Sequence, residues 1–153
     1  DKKSISWSEA VDVALCYGWI DSKKVKIDHE SIHQFFSQRK PKSTWSKINK
    51  AKVETLIKQG LMKEAGYASI ELSKQNGSWT LLDEVEELII PVDLEAAFAT
   101  KTHSKEFFLS LSKSVRKIIL SWLVLAQTRE TREKRITEIA ERAAQQLKPK
   151  HMS

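Results

Sequence analysis

Residues 39–52 combine many cations with one aromatic ring, and this is the segment whose residue types could bind an anion. Six cations surround Trp45: Arg39, Lys40, Lys42, Lys47, Lys50 and Lys52. No acidic residue lies between Ser31 and Val53. Because the unpaired N–H groups of a helix N-terminus favour negative charge, a helix beginning near Ser46 adds to this field. The segment therefore predicts an anion-binding loop at a helix N-terminus.

Six of the seven candidate ligand-binding residues lie in this segment, and the seventh is Asp21. They are Arg39, Lys40, Lys42, Trp45, Ser46, Asn49 and Asp21. A structural alternative stays open, in which Ser46 only caps the helix, Trp45 packs on a hairpin and the lysines line a solvated face. A nucleic-acid-binding module is a second alternative, since cations beside an aromatic ring also suit phosphates and stacked bases. An enzyme that uses Asp21 as a base in the same pocket is a third.

Other residues that could do chemistry give little support for an enzyme or a metal site. Cys16 ends an apolar helix, where a free thiol is commonly a small hydrophobic side chain. His29 and His33 fall in a predicted turn and strand, with no set of ligands at metal-binding spacing. The sequence lacks a Gly-rich phosphate loop and the standard hydrolase and zinc motifs. We therefore predict no catalytic residue, no cofactor and no metal, and the interpretation leans against an enzyme.

Composition places the chain among ordinary globular proteins. It has 153 residues, 41% of them hydrophobic, with 26 Lys and Arg against 20 Asp and Glu. Charge is uneven, because residues 21–63 carry 11 basic and 4 acidic side chains whereas residues 64–106 carry 3 and 9. The most apolar stretch, residues 118–126, is too short to cross a bilayer. No transmembrane helix is expected.

Hydrophobic periodicity and punctuation predict the elements that must position these residues. A capping box at Ser6 predicts a helix over 7–17 that ends at Gly18. Two short strands follow, around 19–27 and 32–36, and then helices over 46–59 with Val53, Leu56 and Ile57 inward, and over 64–75. A helical turn at 83–87 and helices over 93–100, 104–111, 115–126 and 130–147 complete the chain. In the last two helices, inward positions include Ile118 and Leu147.

These elements predict an α+β fold. We expect a mainly helical single domain over residues 1–150, with a small antiparallel hairpin in the N-terminal third and a tail at 151–153. The hairpin is expected to pack on the helix that holds Trp122.

Several short strings in this sequence are similar to those of one bacterial family. They are Ile5-Ser6-Trp7 with Glu9-Ala10-Val11, Ala14-Leu15-Cys16-Tyr17-Gly18-Trp19-Ile20-Asp21, Arg39-Lys40 with Ser43, Trp45-Ser46 and Asn49, and Glu130-Thr131-Arg132 with Arg135-Ile136. Together they resemble the YdeI/OmpD-associated, or bacteriocin-protection, family. Members of that family usually carry Pro where this chain has Gln38, and an extra N-terminal strand that would precede Asp1.

The resemblance implies a role in protection against antimicrobial agents, porin association and no established catalytic activity. We therefore expect a non-catalytic bacterial stress-protection protein that binds an anionic or protein partner through the basic loop. A cytoplasmic location is favoured, because nothing in the sequence requires export. A periplasmic location stays open, because the opening residues are consistent with a removed natural N-terminus.

Overall fold

A computed structural model describes residues 4–152 and has an α+β fold, as the sequence predicts. Within those residues there are eight α-helices and one two-stranded antiparallel sheet near the N-terminus. The chain divides into two compact units, Asp1–Leu81 and Leu82–Ser153. A single domain over 1–150 stays a prediction, and so does packing of the hairpin on the Trp122 helix, which pairs elements of different units.

The first unit contains three helices and the hairpin. Its elements are α1 (Trp7–Cys16), β1 (Trp19–Lys26), β2 (Ile32–Gln38), α2 (Lys47–Lys58) and α3 (Glu64–Gln75). The predicted capping box begins α1, since the Ser6 hydroxyl accepts from the Glu9 N–H at 3.2 Å and the Glu9 carboxylate accepts from the Ser6 N–H at 2.8 Å. These bonds hold the pKa of Glu9 below its ordinary value. The helix ends next to Gly18, whose φ of +73° suits glycine.

The hairpin is confirmed, and β2 runs two residues further than the sequence pattern indicated. Trp19 pairs with Gln38 at the open end and Lys26 with Ile32 at the turn, with an irregularity between Asp21 and Lys24. The Asp28 carboxylate closes the turn by accepting from two backbone N–H groups, each at 2.8 Å. This register brings the start of β1 beside the end of β2. Asp21 pairs with Phe36, three residues before Arg39.

One apolar cluster forms the core of the first unit. Its buried members are Val11, Leu15, Cys16, Trp45, Val53, Leu56, Met62 and Ile70. The prediction for α2 is right for Val53 and Leu56 but wrong for Ile57, which is 38% exposed. Ile57 lies on the flank of the stripe that Val53 and Leu56 form, and the elements packed on α2 cover Leu56 but leave Ile57 partly exposed.

The second unit contains five helices and a short terminal turn. They are α4 (Asp83–Glu86), α5 (Val92–Ala99), α6 (Ser104–Ser110), α7 (Lys113–Val124) and α8 (Arg129–Ala144), followed by a 3-10 turn at Lys150–Met152. Its core gathers the inner faces of all five helices: Val85, Leu94, Phe98, Phe108, Ile119, Leu120, Leu123, Ile136, Ile139, Ala140 and Ala143.

Two positions predicted to face this core do not. Ile118 is 49% exposed, because Ile119, Leu120 and Leu123 form the inner face of α7. Leu147 is 44% exposed, because α8 ends at Ala144 and the helical period no longer applies beyond it.

Candidate functional site

The loop that joins β2 to α2 holds most of the predicted site residues in a fixed conformation. The Lys40 N–H donates to the Ser43 hydroxyl at 3.1 Å, and the Ser43 N–H donates to the Lys40 carbonyl at 3.0 Å. The Pro41 carbonyl accepts from the Asn76 amide at 2.6 Å. The loop is therefore fastened both to itself and to the end of α3.

Arg39 is the unusual residue of this loop, because its guanidinium is buried without an acid hydrogen-bonded to it. The residue is 7% exposed. Its backbone N–H donates to the Gly18 carbonyl at 2.9 Å, and Nη1 donates to the Thr44 carbonyl at 2.8 Å. Within residues 4–152, neither Nε nor Nη2 has a hydrogen-bond partner, although both atoms are shielded from water. Two buried donors of a cation are thus left unsatisfied, which is rare and costly in folded proteins.

Burial changes the electrostatics of this side chain without removing its charge. Burial lowers the pKa of the Arg39 guanidinium from its ordinary value to about 10, and the negative charge of Asp21 acts in the opposite direction. Arg39 therefore stays protonated near neutral pH. Asp21 is half-buried on β1 and influences Arg39 through its charge, while the two unsatisfied donors remain without an acceptor.

Trp45 is the platform on which Arg39 lies. The guanidinium carbon is 3.6 Å from the centroid of the indole, a cation–π contact. The ring is 1% exposed, and its Nε1–H donates to the Ser73 hydroxyl at 2.7 Å. The Ser73 hydroxyl donates in turn to the Ser69 carbonyl at 2.8 Å. Trp45 thus orients Arg39 from the core and presents no face to a ligand.

Arg39 borders a cavity of about 530 Å³ within the first unit. Its lining residues come from the end of α1, the loop and one face of α3: Tyr17, Gly18, Gln38, Arg39, Lys40, Pro41, Ala65, Ala68, Ser69 and Leu72. Gly18 lets these segments approach, because a Cβ at that position would lie 2.8 Å from the Ala65 carbonyl oxygen. A cavity of this size suits a small molecule.

The predicted site residues do not all meet at this cavity. Lys40 is exposed and lines it together with Arg39, whereas Lys42 is exposed on the loop and is not a lining residue. Ser46 caps α2, accepting from the Asn49 N–H at 3.2 Å. The Asn49 N–H, in the first turn of α2, and the Ser46 hydroxyl are therefore engaged with each other, as the structural alternative for Ser46 expects.

Sequence reasoning missed the wall of the cavity opposite the loop. Tyr17 and the small residues Ala65 and Ala68 read as ordinary helix positions, and no local pattern marked them as a ligand surface. Gly18 was identified, but only as a helix stop. Its close approach to α3 is a tertiary contact, so spacing along the chain carried no signal for it.

The remaining chemical candidates have plain structural placements. Cys16 is buried, and burial raises the pKa of its thiol, with the charge of Asp12 acting in the same direction. Such a thiol is a poor nucleophile.

No group of three or more His, Cys, Asp or Glu side chains within residues 4–152 is arranged to hold a metal ion. In the same part of the chain, no helix has both the length and the apolar character that crossing a bilayer needs.

Two family models match different parts of the chain, and each covers less than half of it. Residues 87–146 match the family described as Bacteriocin-protection, YdeI or OmpD-Associated. Residues 1–69 match a family described as Domain of unknown function (DUF8412). The searches of curated proteins and of solved structures returned no match.

The family matches confirm the predicted resemblance for the C-terminal part. The Glu130-Thr131-Arg132 string lies within the residues matched to the bacteriocin-protection family. The strings before Ser69, including the cavity residues contributed by α1 and the loop, lie within the second match.

Proposed function

We propose that this chain, whose residues 87–146 match the bacteriocin-protection family, acts in protection against antimicrobial agents by binding an anionic ligand at the Arg39 cavity. The family description supplies the cellular role, and the cavity supplies the chemistry. We propose the cytoplasm as its compartment, which is consistent with a free, buried Cys16.

The observation that carries the proposal is the unsatisfied guanidinium of Arg39. A cation that is 7% exposed and keeps two N–H donors without acceptors within residues 4–152 reduces the stability of the free protein. An anion that accepts from those donors removes the penalty. Residues that break a local stability rule in this way are often functional.

The neighbourhood of Arg39 suits an anion that enters from solvent. Lys40 lies exposed on the cavity wall, where its charge can attract the ligand before it reaches Arg39. The loop is held by hydrogen bonds to Ser43 and Asn76, so little conformational entropy is lost on binding.

Binding is favoured over turnover because the cavity wall is poor in groups that move protons. Apart from Arg39, the titratable side chains that line it are Tyr17 and Lys40. The enzyme alternative needs Asp21 to act as a base, yet Asp21 is not one of the lining residues. A binding role requires no such group.

Burial of Trp45 is evidence against the nucleic-acid alternative. Proteins that hold single strands stack bases on exposed aromatic rings, and the Trp45 ring is 1% exposed with one face against Arg39. The loop lysines can still contact phosphates, but Trp45 has no exposed face on which a base could stack.

Direct capture of a cationic antimicrobial peptide fits poorly with a net charge of +6. We therefore propose that protection is indirect and passes through an anionic ligand of the cell, and that association with a porin, which the family name suggests, is a separate property.

The test is complementation of a strain from which the gene has been deleted. The deletion should lower tolerance to a bacteriocin, and the natural gene should restore it, whereas Arg39→Met should not. Lys58→Met is the matched control, because Lys58 is an exposed cation of the same unit that does not line the cavity. Equal rescue by Arg39→Met and the natural gene would remove the cavity from the function, and unchanged tolerance of the deletion strain would remove the protective role.

A further inference from the structure

The free edge of the Arg39 guanidinium has a shape that matches two oxygens of one acid group. Nη1 is occupied by the Thr44 carbonyl, which leaves Nε and Nη2. These two donors lie side by side on one edge of the planar group and point in nearly parallel directions. Such an edge binds a carboxylate or a phosphate through two hydrogen bonds at once.

Another arginine of this chain uses the same edge in the same way. Arg132 donates from Nε to Asp93 Oδ2 at 2.6 Å and from Nη2 to Asp93 Oδ1 at 3.0 Å. That pair shows the arrangement which the unsatisfied atoms of Arg39 would adopt with an acid of a ligand.

We propose that the Arg39 cavity binds a small organic acid, whose single carboxylate pairs side-on with Nε and Nη2 and whose apolar body lies along α3. This inference rests on the proposed function and names its ligand class. The α3 wall supplies the apolar contacts, through Ala65, Ala68 and Leu72. The volume of about 530 Å³ accommodates a ring or a short chain but not a folded polymer.

A carboxylate fits this site better than a phosphate because the loop N–H groups closest to Arg39 are already engaged. Phosphate sites usually add several free N–H groups of a loop or helix start. Here the N–H groups of Arg39, Lys40 and Ser43 donate to Gly18, Ser43 and Lys40. The N–H of Asn49, at the start of α2, donates to Ser46.

The charge around Arg39 favours a ligand with one negative charge. Asp21 is close enough to act on Arg39 electrostatically. It therefore repels a second negative charge on the ligand, whereas the single charge of a carboxylate is balanced by the guanidinium and by Lys40 at the wall.

Docking must include a small movement at the site. Nε and Nη2 are both shielded from water in the free protein. The carboxylate reaches them only if the guanidinium turns toward the cavity or a lining side chain moves aside. Their hydrogen bonds would then form in a space that excludes water, where they are strong.

The experiment is calorimetric titration of the whole chain with small probes that differ from benzoate in either the ring or the acid group. Benzoate has the carboxylate and the ring, acetate lacks the ring, benzamide lacks the charge, and phenyl phosphate replaces the acid group. We expect benzoate to bind, acetate to bind more weakly by a factor of about ten or more, and benzamide not to bind. Phenyl phosphate should bind more weakly than benzoate.

Variants separate the paired hydrogen bonds from the charge alone. Arg39→Lys keeps the charge but loses the planar edge, so we expect it to weaken benzoate binding by about tenfold or more. Arg39→Met should abolish the binding, and Lys58→Met should leave it unchanged. Circular dichroism of each variant checks that it is folded, and the ¹⁵Nε–¹H resonance of Arg39 in the unaltered protein should shift on addition of benzoate.

The outcomes distinguish the ligand class from the site itself. If phenyl phosphate, inorganic phosphate or a single-stranded oligonucleotide binds more tightly than benzoate and loses affinity in Arg39→Met, the carboxylate inference is wrong and the anion site stands. If no probe binds at low salt and the Arg39 resonance does not move, both are wrong. Equal affinity of Arg39→Lys and the unaltered protein for benzoate would also overturn the side-on pairing.

Discussion

Replacing Arg39 by methionine distinguishes a cation held for a ligand from one held for the fold. Methionine keeps an unbranched apolar side chain at this position without a charge, although it is shorter by the end of the guanidinium. If Arg39 is unpaired in the free protein, its removal relieves a desolvation penalty as well as breaking contacts. We therefore expect the free energy of unfolding to change by less than about 2 kcal/mol in either direction.

The expected value follows from the opposing contributions at this side chain. Lowering the pKa of Arg39 from its ordinary value to about 10 corresponds to roughly 3 kcal/mol against the charged form in the folded protein. The hydrogen bond to the Thr44 carbonyl contributes about 1.5–3 kcal/mol in the opposite direction. The contact with the indole adds about 1–2 kcal/mol. The two favourable contributions therefore offset the penalty to within about 2 kcal/mol.

The pH range of the measurement follows from the sign of the pKa change. The folded state binds the Arg39 proton less tightly than the unfolded state does, so stability rises with pH above about 10, where the folded state begins to lose this proton. Below about pH 10 the penalty is fully present. Urea denaturation near neutral pH, followed by tryptophan fluorescence, therefore measures the full desolvation penalty of Arg39.

A loss of about 3 kcal/mol or more in Arg39→Met would refute this reasoning, because that is the cost of breaking a buried ion pair. Asp21 would then be the partner in solution, and Asp21→Asn should show a similar loss. If Arg39 is unpaired, Asp21→Asn should change stability little. Lys58→Met, at an exposed position, should stay within about 0.5 kcal/mol of the unaltered protein.

Three further substitutions test the fold around the site and in the second unit. Ser73→Ala removes the acceptor of a buried indole N–H at 2.7 Å and should cost about 1–3 kcal/mol in urea denaturation; a loss below about 0.5 kcal/mol would contradict the bond. Gly18→Ala should cost more than Gly60→Ala in thermal unfolding, because both have positive φ but only the first would place a methyl group within 2.8 Å of a backbone oxygen; equal losses would disprove the close approach. The hydrogen bond from Arg132 lowers the pKa of Asp93, so the pair stabilises the folded state above the ordinary pKa of about 4 and is lost as pH falls through the lowered value. Asp93→Asn should therefore cost less than about 1 kcal/mol near neutral pH and lose this part of the acid dependence, and an unchanged acid dependence would be evidence against the pair.

The elements of this fold could be predicted because their signals are local. Ser6 and Glu9 satisfy each other across one helical turn, and a glycine ends the same helix, so both ends of α1 are encoded within a few residues. The strands β1 and β2 follow from alternation and a polar turn. The same reasoning failed at Ile57, Ile118 and Leu147, because the width of a buried stripe depends on the neighbouring elements that cover it.

In the candidate site too, some features follow from the local sequence and others only from tertiary contacts. The composition of residues 39–52 by itself indicated a concentration of positive charge, because no acid interrupts it. Which cation is buried was decided by tertiary structure: Trp45 enters the core through its bond to Ser73, 28 residues away, and brings Arg39 down with it. Lys42 stays in solvent although it is only three positions further along the chain. The cavity itself requires α3 to approach Gly18, and a contact between residues so far apart in sequence leaves no spacing pattern from which it could be read.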